Sequence, residues 1–299
     1  MADLGEIVGL AERTLGPSSG PPVRLTGGIT NRNYRLRFGQ RDCVLRLTGP
    51  QTELLGIDRR SERAAGDAAA ALGIGPAVLD IGPGYLVTEY LDGTPISAGA
   101  LRGDPGPAAR ALRAFHDCGL RVANRFWVPD LLDAYAVIVS ERRHRLPDDY
   151  GLAVEVAGRI AAVLPLRAPV PCHNDLLAAN VLLAPNDPAR VMLVDWEYAG
   201  MGHRLFDLGN LAVNNDFDAA AQQRLLAAYF GAPPSSALTA ALALMQIMSD
   251  AREAAWGVVQ AVISELEFDF TAYAARHFTR LRASADSPQF EEWLDAATA

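Results

Sequence analysis

The sequence predicts an α+β fold in two parts, a small β-rich N-terminal lobe followed by a larger helical C-terminal lobe. Three observations carry this expectation. Short apolar runs with strand character cluster before residue 91. Beyond the turn-rich stretch Leu91-Asp92-Gly93-Thr94-Pro95, apolar residues recur at helical spacing. Of the 299 residues, 50% are hydrophobic and 21% charged, which is ample for a core.

Residues 4–15 read as a helix that the Gly- and Pro-rich stretch 16–22 ends. Runs at 34–38, 43–48 and 85–90 read as strands, with Gly39-Gln40 turning between the first two. Residues 57–72, charged and then Ala-rich, supply an intervening helix. In the second half, helices are predicted over 107–116, 130–145, 152–163, 219–229, 237–268 and 270–282. Two short β-rich runs, 181–183 and 191–195, interrupt them, with Asn186-Asp187-Pro188 as the turn between. The expected organisation is an N-terminal lobe at 1–91, a hinge at 92–96 and a helical lobe at 97–299. Ligands favour the cleft such a pair of lobes leaves.

Composition excludes several chemistries. All 27 basic residues are arginine, so a Schiff-base lysine, a Walker-A lysine and the usual kinase strand lysine are ruled out. Any phosphate must be gripped by arginine, by backbone N–H groups or through a metal. The net charge of −8 divides into −1 over residues 1–95 (10 Arg, 11 acids) and −7 over 96–299 (17 Arg, 24 acids). Nucleic acid is therefore not an expected partner. The acidic second half suits a cationic ligand, and it also suits ordinary solvated helix faces. No apolar run reaches the roughly 18–20 residues of a bilayer span. The N-terminus, Met-Ala-Asp-Leu-Gly-Glu, lacks a basic leader region. Three cysteines (Cys43, Cys118, Cys172) give neither a disulfide framework nor metal-ligand spacing. The expectation is a soluble, cytoplasmic protein with no membrane insertion.

The most informative segment is Cys172-His173-Asn174-Asp175-Leu176-Leu177-Ala178-Ala179-Asn180-Val181-Leu182-Leu183. It holds His-x-Asp, then Asn180, then an apolar strand, and a second strand ends in Asp195. Taken singly, Asp175 suits a capping turn and Asn180 an Asx-turn. Together they meet the needs of phosphoryl transfer. Asp175 on a loop orients a hydroxyl and takes its proton, while an amide oxygen (Asn180) and a carboxylate (Asp195) hold Mg2+ beside nucleotide phosphates. A hairpin over 181–195 would bring Asn180 and Asp195 together at its open end. His173 reads as a brace for the loop, bonded to backbone.

At these residues the chain resembles the choline/ethanolamine kinase family, relatives of the aminoglycoside phosphotransferases with a protein-kinase-like bilobal fold. Gly27-Gly28-Ile29-Thr30-Asn31-Arg32-Asn33-Tyr34 is similar to the family's first nucleotide loop, and Cys43-Val44-Leu45-Arg46-Leu47 to its strand bearing the phosphate cation. Val194-Asp195-Trp196-Glu197-Tyr198-Ala199-Gly200 and Phe206-Asp207-Leu208-Gly209-Asn210 resemble its metal segment and the stretch after it. Trp256-Gly257-Val258-Val259-Gln260, with Tyr273, resembles its C-terminal helices. The likeness runs from about residue 25 to 285.

The resemblance implies an ATP- and Mg2+-dependent kinase acting on the hydroxyl of a small cationic amino alcohol, choline or ethanolamine. It implies nucleotide contacts from Gly28, Thr30, Asn31 and Arg46, and from a hinge at Glu89-Tyr90-Leu91 whose backbone meets adenine. Glu62 is either the partner that holds Arg46 or a surface carboxylate between Arg60 and Arg63. Glu197, Tyr198, Trp256 and Tyr273 fall at the substrate end, where a quaternary ammonium requires aromatic faces. In animal choline kinases a second tryptophan stands three residues before the one matching Trp256. Here Glu253 stands there, and an acid at that place could accept from a primary ammonium. Trp256 and Tyr273 equally suit plain core packing. Asp207 resembles a residue that braces the catalytic loop. His116 reads as a satisfied structural histidine, and Trp196 as packing. Alternatives on the same fold are an aminoglycoside or other small-metabolite phosphotransferase and a non-catalytic nucleotide-binding pseudokinase; a homodimer is left open.

Overall fold

A computed structural model describes residues 3–25, 31–184 and 187–298. Asp3 caps helix α1 (Leu4–Leu15) by accepting the Gly5 amide at 3.1 Å, and Gly16, at φ 87°, ends it. The stretch after it does more than stop a helix. It forms strand β1 (Ser18–Arg24), antiparallel to β2 (Arg32–Phe38), with a register break between Ser19 and Val23. Pro21 and Pro22 sit in that break and cannot donate to a ladder, which confines β1 to a sheet edge. With β3 (Arg41–Leu47), β4 (Val78–Gly82) and β5 (Tyr85–Glu89), the five strands run in the order β1-β2-β3-β5-β4. Ile7 and Ala11 of α1 join Leu36, Phe38, Leu45 and Val87 in the core beneath it. Both β1 and β4 were absent from the predicted strands, because neither shows period-2 alternation of apolar residues.

Helix α2 (Arg59–Ala71) starts where Asp58 accepts the Arg60 and Ser61 amides at 3.3 and 3.1 Å. It packs on β4, yet its Ala65 and Ala69 belong to the larger core of the second half. Apolar packing therefore ties the sheet to the helical part.

That second part begins after β6 (Thr94–Pro95) with α3 (Ala98–Gly103), α4 (Gly106–His116), α5 (Val128–Glu141) and α6 (Tyr150–Val163). It continues with α7 (Arg204–Asn214), α8 (Ala219–Phe230), α9 (Ser236–Ile263), α10 (Phe270–Ala285) and α11 (Pro288–Ala297). Helix α9 is the axis, packed against α5, α6, α7, α10 and α11. Its end falls short of the predicted residue 268. Ser264 turns extended (ψ 141°) and its Oγ accepts the Leu266 amide at 3.2 Å, an alternative to the helical bond. Likewise α5 stops before the predicted residue 145, where Arg143 takes a left-handed φ of 59°. Helix α7 escaped prediction: it is short, Leu205 to Ala212 are all buried, and its polar residues Asp207 and Asn210 face the loop between β7 and β8 rather than solvent.

Contact between α7 and α9 is close enough to require glycine. A Cβ on Gly209 would lie 2.7 Å from the Met245 carbonyl carbon and 2.9 Å from the Gln246 nitrogen. Gly209→Ala is expected to destabilise the chain by about 1–3 kcal/mol, the usual range for overpacking. A lower urea midpoint at unchanged m-value is the expected reading; an unchanged midpoint would contradict the packing.

Two small sheets carry the loops that matter. β8 (Val181–Ala184) pairs with β9 (Asp187–Leu193) on one side and β6 on the other. β7 (Val170–Cys172) pairs with β10 (Gly200–Gly202). Asn186 of the predicted turn lies outside the described residues, and Asp187 already belongs to β9. Among the described residues no helix is long and apolar enough to cross a membrane.

Candidate active site

The loop between β7 and β8 is fixed by side chains at α7 and just past its end. Asp207, fully buried, accepts the His173 amide on Oδ2 and the Asn174 amide on Oδ1, both at 2.8 Å. Asn210 accepts the Leu176 amide at 2.6 Å, and Asn215, which follows α7, accepts the Ala178 amide at 2.8 Å. These bonds satisfy backbone groups that a buried loop would otherwise leave unpaired. Asn174 sits at φ 68°, a conformation asparagine tolerates. His173 donates from Nε2 to the Val194 carbonyl at 2.9 Å and accepts the Asp175 amide on Nδ1 at 3.3 Å. Burial pushes its pKa down, so the ring is a neutral brace.

Asp175 projects from this loop with its side chain 18% exposed. Burial pushes its pKa up to about 8, against the pull of the Arg252 cation, whose Nη1 is 4.0 Å away. Asn180 donates its Nδ2 to the Asp175 carbonyl at 2.9 Å, and the Val194 amide donates to the Asn180 carbonyl at 3.0 Å. The open end of the hairpin thereby brings Asn180 beside Asp195, which sits at φ 67°. One oxygen of each side chain has no protein partner among the described residues. Two such hard donors suit Mg2+, so the residues fit that ion.

Arg46 on β3 reaches this point from the sheet. Its Nη1 meets Asp195 and its Nη2 meets Glu62. Glu62 is only 1% exposed, so it is no surface carboxylate. Its second oxygen accepts from Arg59 at 2.6 Å. Arg59 in turn lies 3.6 Å from Glu197, whose other oxygen accepts from Asn31 at 3.1 Å. Gly28 and Thr30 lie outside the described residues.

Behind these groups opens a cavity of about 360 Å³. Val44, Val78, Leu86, Leu91 and Leu182 make an apolar slot, and Arg46, Asn180 and Asp195 stand at its polar end. Glu89 and Leu91 line it as well. The amides of Glu89 and Tyr90 are held by the carbonyls of Ala77 and Asp42, each at 2.9 Å. Trp196, read from sequence as packing, also lines the cavity and rests its ring 4.6 Å from His173.

The residues predicted for the substrate end also come together. Trp256 donates to the Tyr198 hydroxyl at 2.8 Å, and the Tyr273 hydroxyl donates to Glu253 at 2.7 Å. The Trp256 and Tyr273 rings meet edge to face at 5.4 Å. Glu253 is not a free acceptor, because Arg252 donates to its other oxygen at 2.8 Å. Despite burial, Arg252 and His277 hold the Glu253 pKa below the usual range. Sequence reasoning missed Arg59 and Arg252; the first had a signal, its i,i+3 spacing to Glu62. Ligand atoms of His116, Cys172 and Asp207 lie within 4.8 Å of one another. Both His116 nitrogens and both Asp207 oxygens are already hydrogen-bonded within the chain, so this cluster is structural.

Residues 23–245 match the phosphotransferase enzyme family APH. The chain is similar to ethanolamine kinase 2 of Mus musculus, 28% identical over 290 residues, covering 86% of this chain and 74% of that protein. Among solved structures it is similar to a choline/ethanolamine kinase family protein from Mesorhizobium loti, with 31% identity, a TM-score of 0.80, and 97% and 98% of the two chains covered. Choline kinase LicA from Streptococcus pneumoniae shares the fold, with a TM-score of 0.76 at 20% identity over 94% of this chain and 98% of that one. The chain belongs to the phosphotransferase enzyme family, on its choline/ethanolamine kinase branch, and is a small-molecule kinase that phosphorylates an alcohol.

Proposed function

We propose that the chain transfers the γ-phosphoryl group of ATP, with Mg2+, to the hydroxyl of a small cationic amino alcohol of the choline and ethanolamine type. The observation that carries this reading is the convergence of Arg46, Asn180 and Asp195 at the polar end of one apolar slot, with Asp175 tied to Asn180. The slot takes adenine, with the backbone of 89–91 along its edge. Arg46 presents a forked cation to the nucleotide phosphates, and Glu62 fixes the direction of that fork.

Asp175 orients the acceptor hydroxyl and takes its proton as the new oxygen–phosphorus bond forms and the bond to ADP breaks. Its raised pKa makes it a stronger base than an ordinary carboxylate. Asn180 and Asp195 would hold Mg2+, which when bound offsets the charge of the phosphates. Glu197, Tyr198 and Trp256 are the residues assigned to the amine end. No covalent phospho-enzyme is required, since positioning and electrostatics suffice.

The test is ADP release from Mg-ATP with ethanolamine, choline and kanamycin, using Asp175→Asn as the blank. Turnover with either amino alcohol and none with kanamycin is expected. Turnover with kanamycin alone would move the acceptor to aminoglycosides and overturn the amino-alcohol reading.

A further inference from the structure

The aromatic group at the substrate end already holds a cation, and it belongs to the chain itself. The Arg252 guanidinium lies over the Tyr198 ring, 4.4 Å from its centroid, and 5.9 Å from that of Phe126. Arg252 is 2% exposed, and its Nε and Nη2 have no hydrogen-bond partner among the described residues. These donors are left to the aromatic surroundings, while Nη1 is held by Glu253 at 2.8 Å. Tyr273 locks Glu253 from the other side, and Trp256 locks the Tyr198 hydroxyl. Moving Arg252 aside would break a buried ion pair, which is strongly unfavourable.

A quaternary ammonium has no N–H to donate and relies on open aromatic faces. A primary ammonium carries three donors and needs acceptors. One buried acceptor is waiting: Glu197 Oε2 has no hydrogen-bond partner among the described residues, with the Arg59 cation 3.6 Å away.

Resting on the amino-alcohol reading above, we infer that Arg252 is a specificity-determining residue. It occupies the Tyr198 face that a quaternary ammonium needs and leaves Glu197 to receive an N–H donor, so the acceptor alcohol is one with a primary or partly methylated amine.

The test is kcat/KM along the series from ethanolamine through its mono- and dimethyl derivatives to choline. It is measured for the wild type, for Arg252→Met/Glu253→Gln and for Arg252→Lys. The double variant removes both charges, so no unpaired carboxylate is left buried. Arg252→Lys keeps the charge and the partner for Glu253, and gives a second reading should the double variant not fold. In the wild type, ethanolamine is expected to exceed choline by about tenfold or more, the order that a desolvated cation–π contact supplies. In either variant that ratio is expected to shrink, chiefly through a lower KM for choline, and to shrink further in the double variant. A wild type that prefers choline, or a ratio unchanged in a folded variant, overturns the inference while the kinase reading stands. A wild type that turns over no amine, yet releases ADP with another alcohol, removes the amino-alcohol reading itself and the inference with it.

Discussion

Asp175→Asn is expected to lower kcat by about 10²–10⁴-fold, the range a positioned general base supplies. ATP binding should be nearly unchanged, because the slot and Arg46 do not involve the Asp175 carboxylate. The asparagine keeps the shape of the loop, whose backbone is held by Asp207, Asn210 and Asn215. Lost activity then reports proton transfer rather than unfolding. Retained turnover would contradict the assigned base.

The same substitution has a stability signature whose sign follows from the raised pKa. Folding favours the protonated form of Asp175, so its stabilising contribution is complete below the ordinary carboxylate pKa and is lost as pH rises through about 8. Asparagine stays neutral. In protein free of nucleotide and metal, Asp175→Asn should therefore melt above the wild type at pH 9, with the gap narrowing towards pH 5. A gap that widens towards acid would mean that the carboxylate is stabilising in the folded chain.

Arg46→Met is expected to destabilise the chain by about 3–5 kcal/mol, since it removes one partner from a buried ion-pair cluster. Among the described residues Glu62 would keep Arg59 as its ion-pair partner, and Asp195 would lose its ion pair with β3. KM for ATP should rise together with the loss of stability. Arg46→Lys should fall between wild type and Arg46→Met, because a lysine ammonium cannot reach two carboxylates in a fixed fork. Urea unfolding and ATP titration of both variants give the order. A lysine variant equal to wild type in both would contradict a role for the forked geometry.

How much of this was legible in the sequence depends on the range of the interactions. Asn180 and Asp195 flank one hairpin, so their spacing foretold that they would come together, and Asp175 lies five residues before Asn180 on the loop that leads into it. Arg46 and Glu62 were readable as a pair only through the family resemblance, because nothing local requires an arginine on β3 to face α2. Strand β1 was hidden by its prolines, and α7 by the burial of its polar residues Asp207 and Asn210 against a loop distant in sequence. Arg252 was missed for a geometric reason. Neighbours in a helix ordinarily point apart, so Glu253 was read without its own i−1 residue. The buried environment of α9 nevertheless folds the two side chains onto each other and onto Tyr198, and only packing reveals that.

The most direct measurement of the central claim is phosphorus NMR of the wild type turning over Mg-ATP with ethanolamine. A phosphomonoester of the amino alcohol should appear one for one with ADP, and should be missing with Asp175→Asn. ADP accompanied only by inorganic phosphate would mean that water, not the alcohol, receives the phosphoryl group.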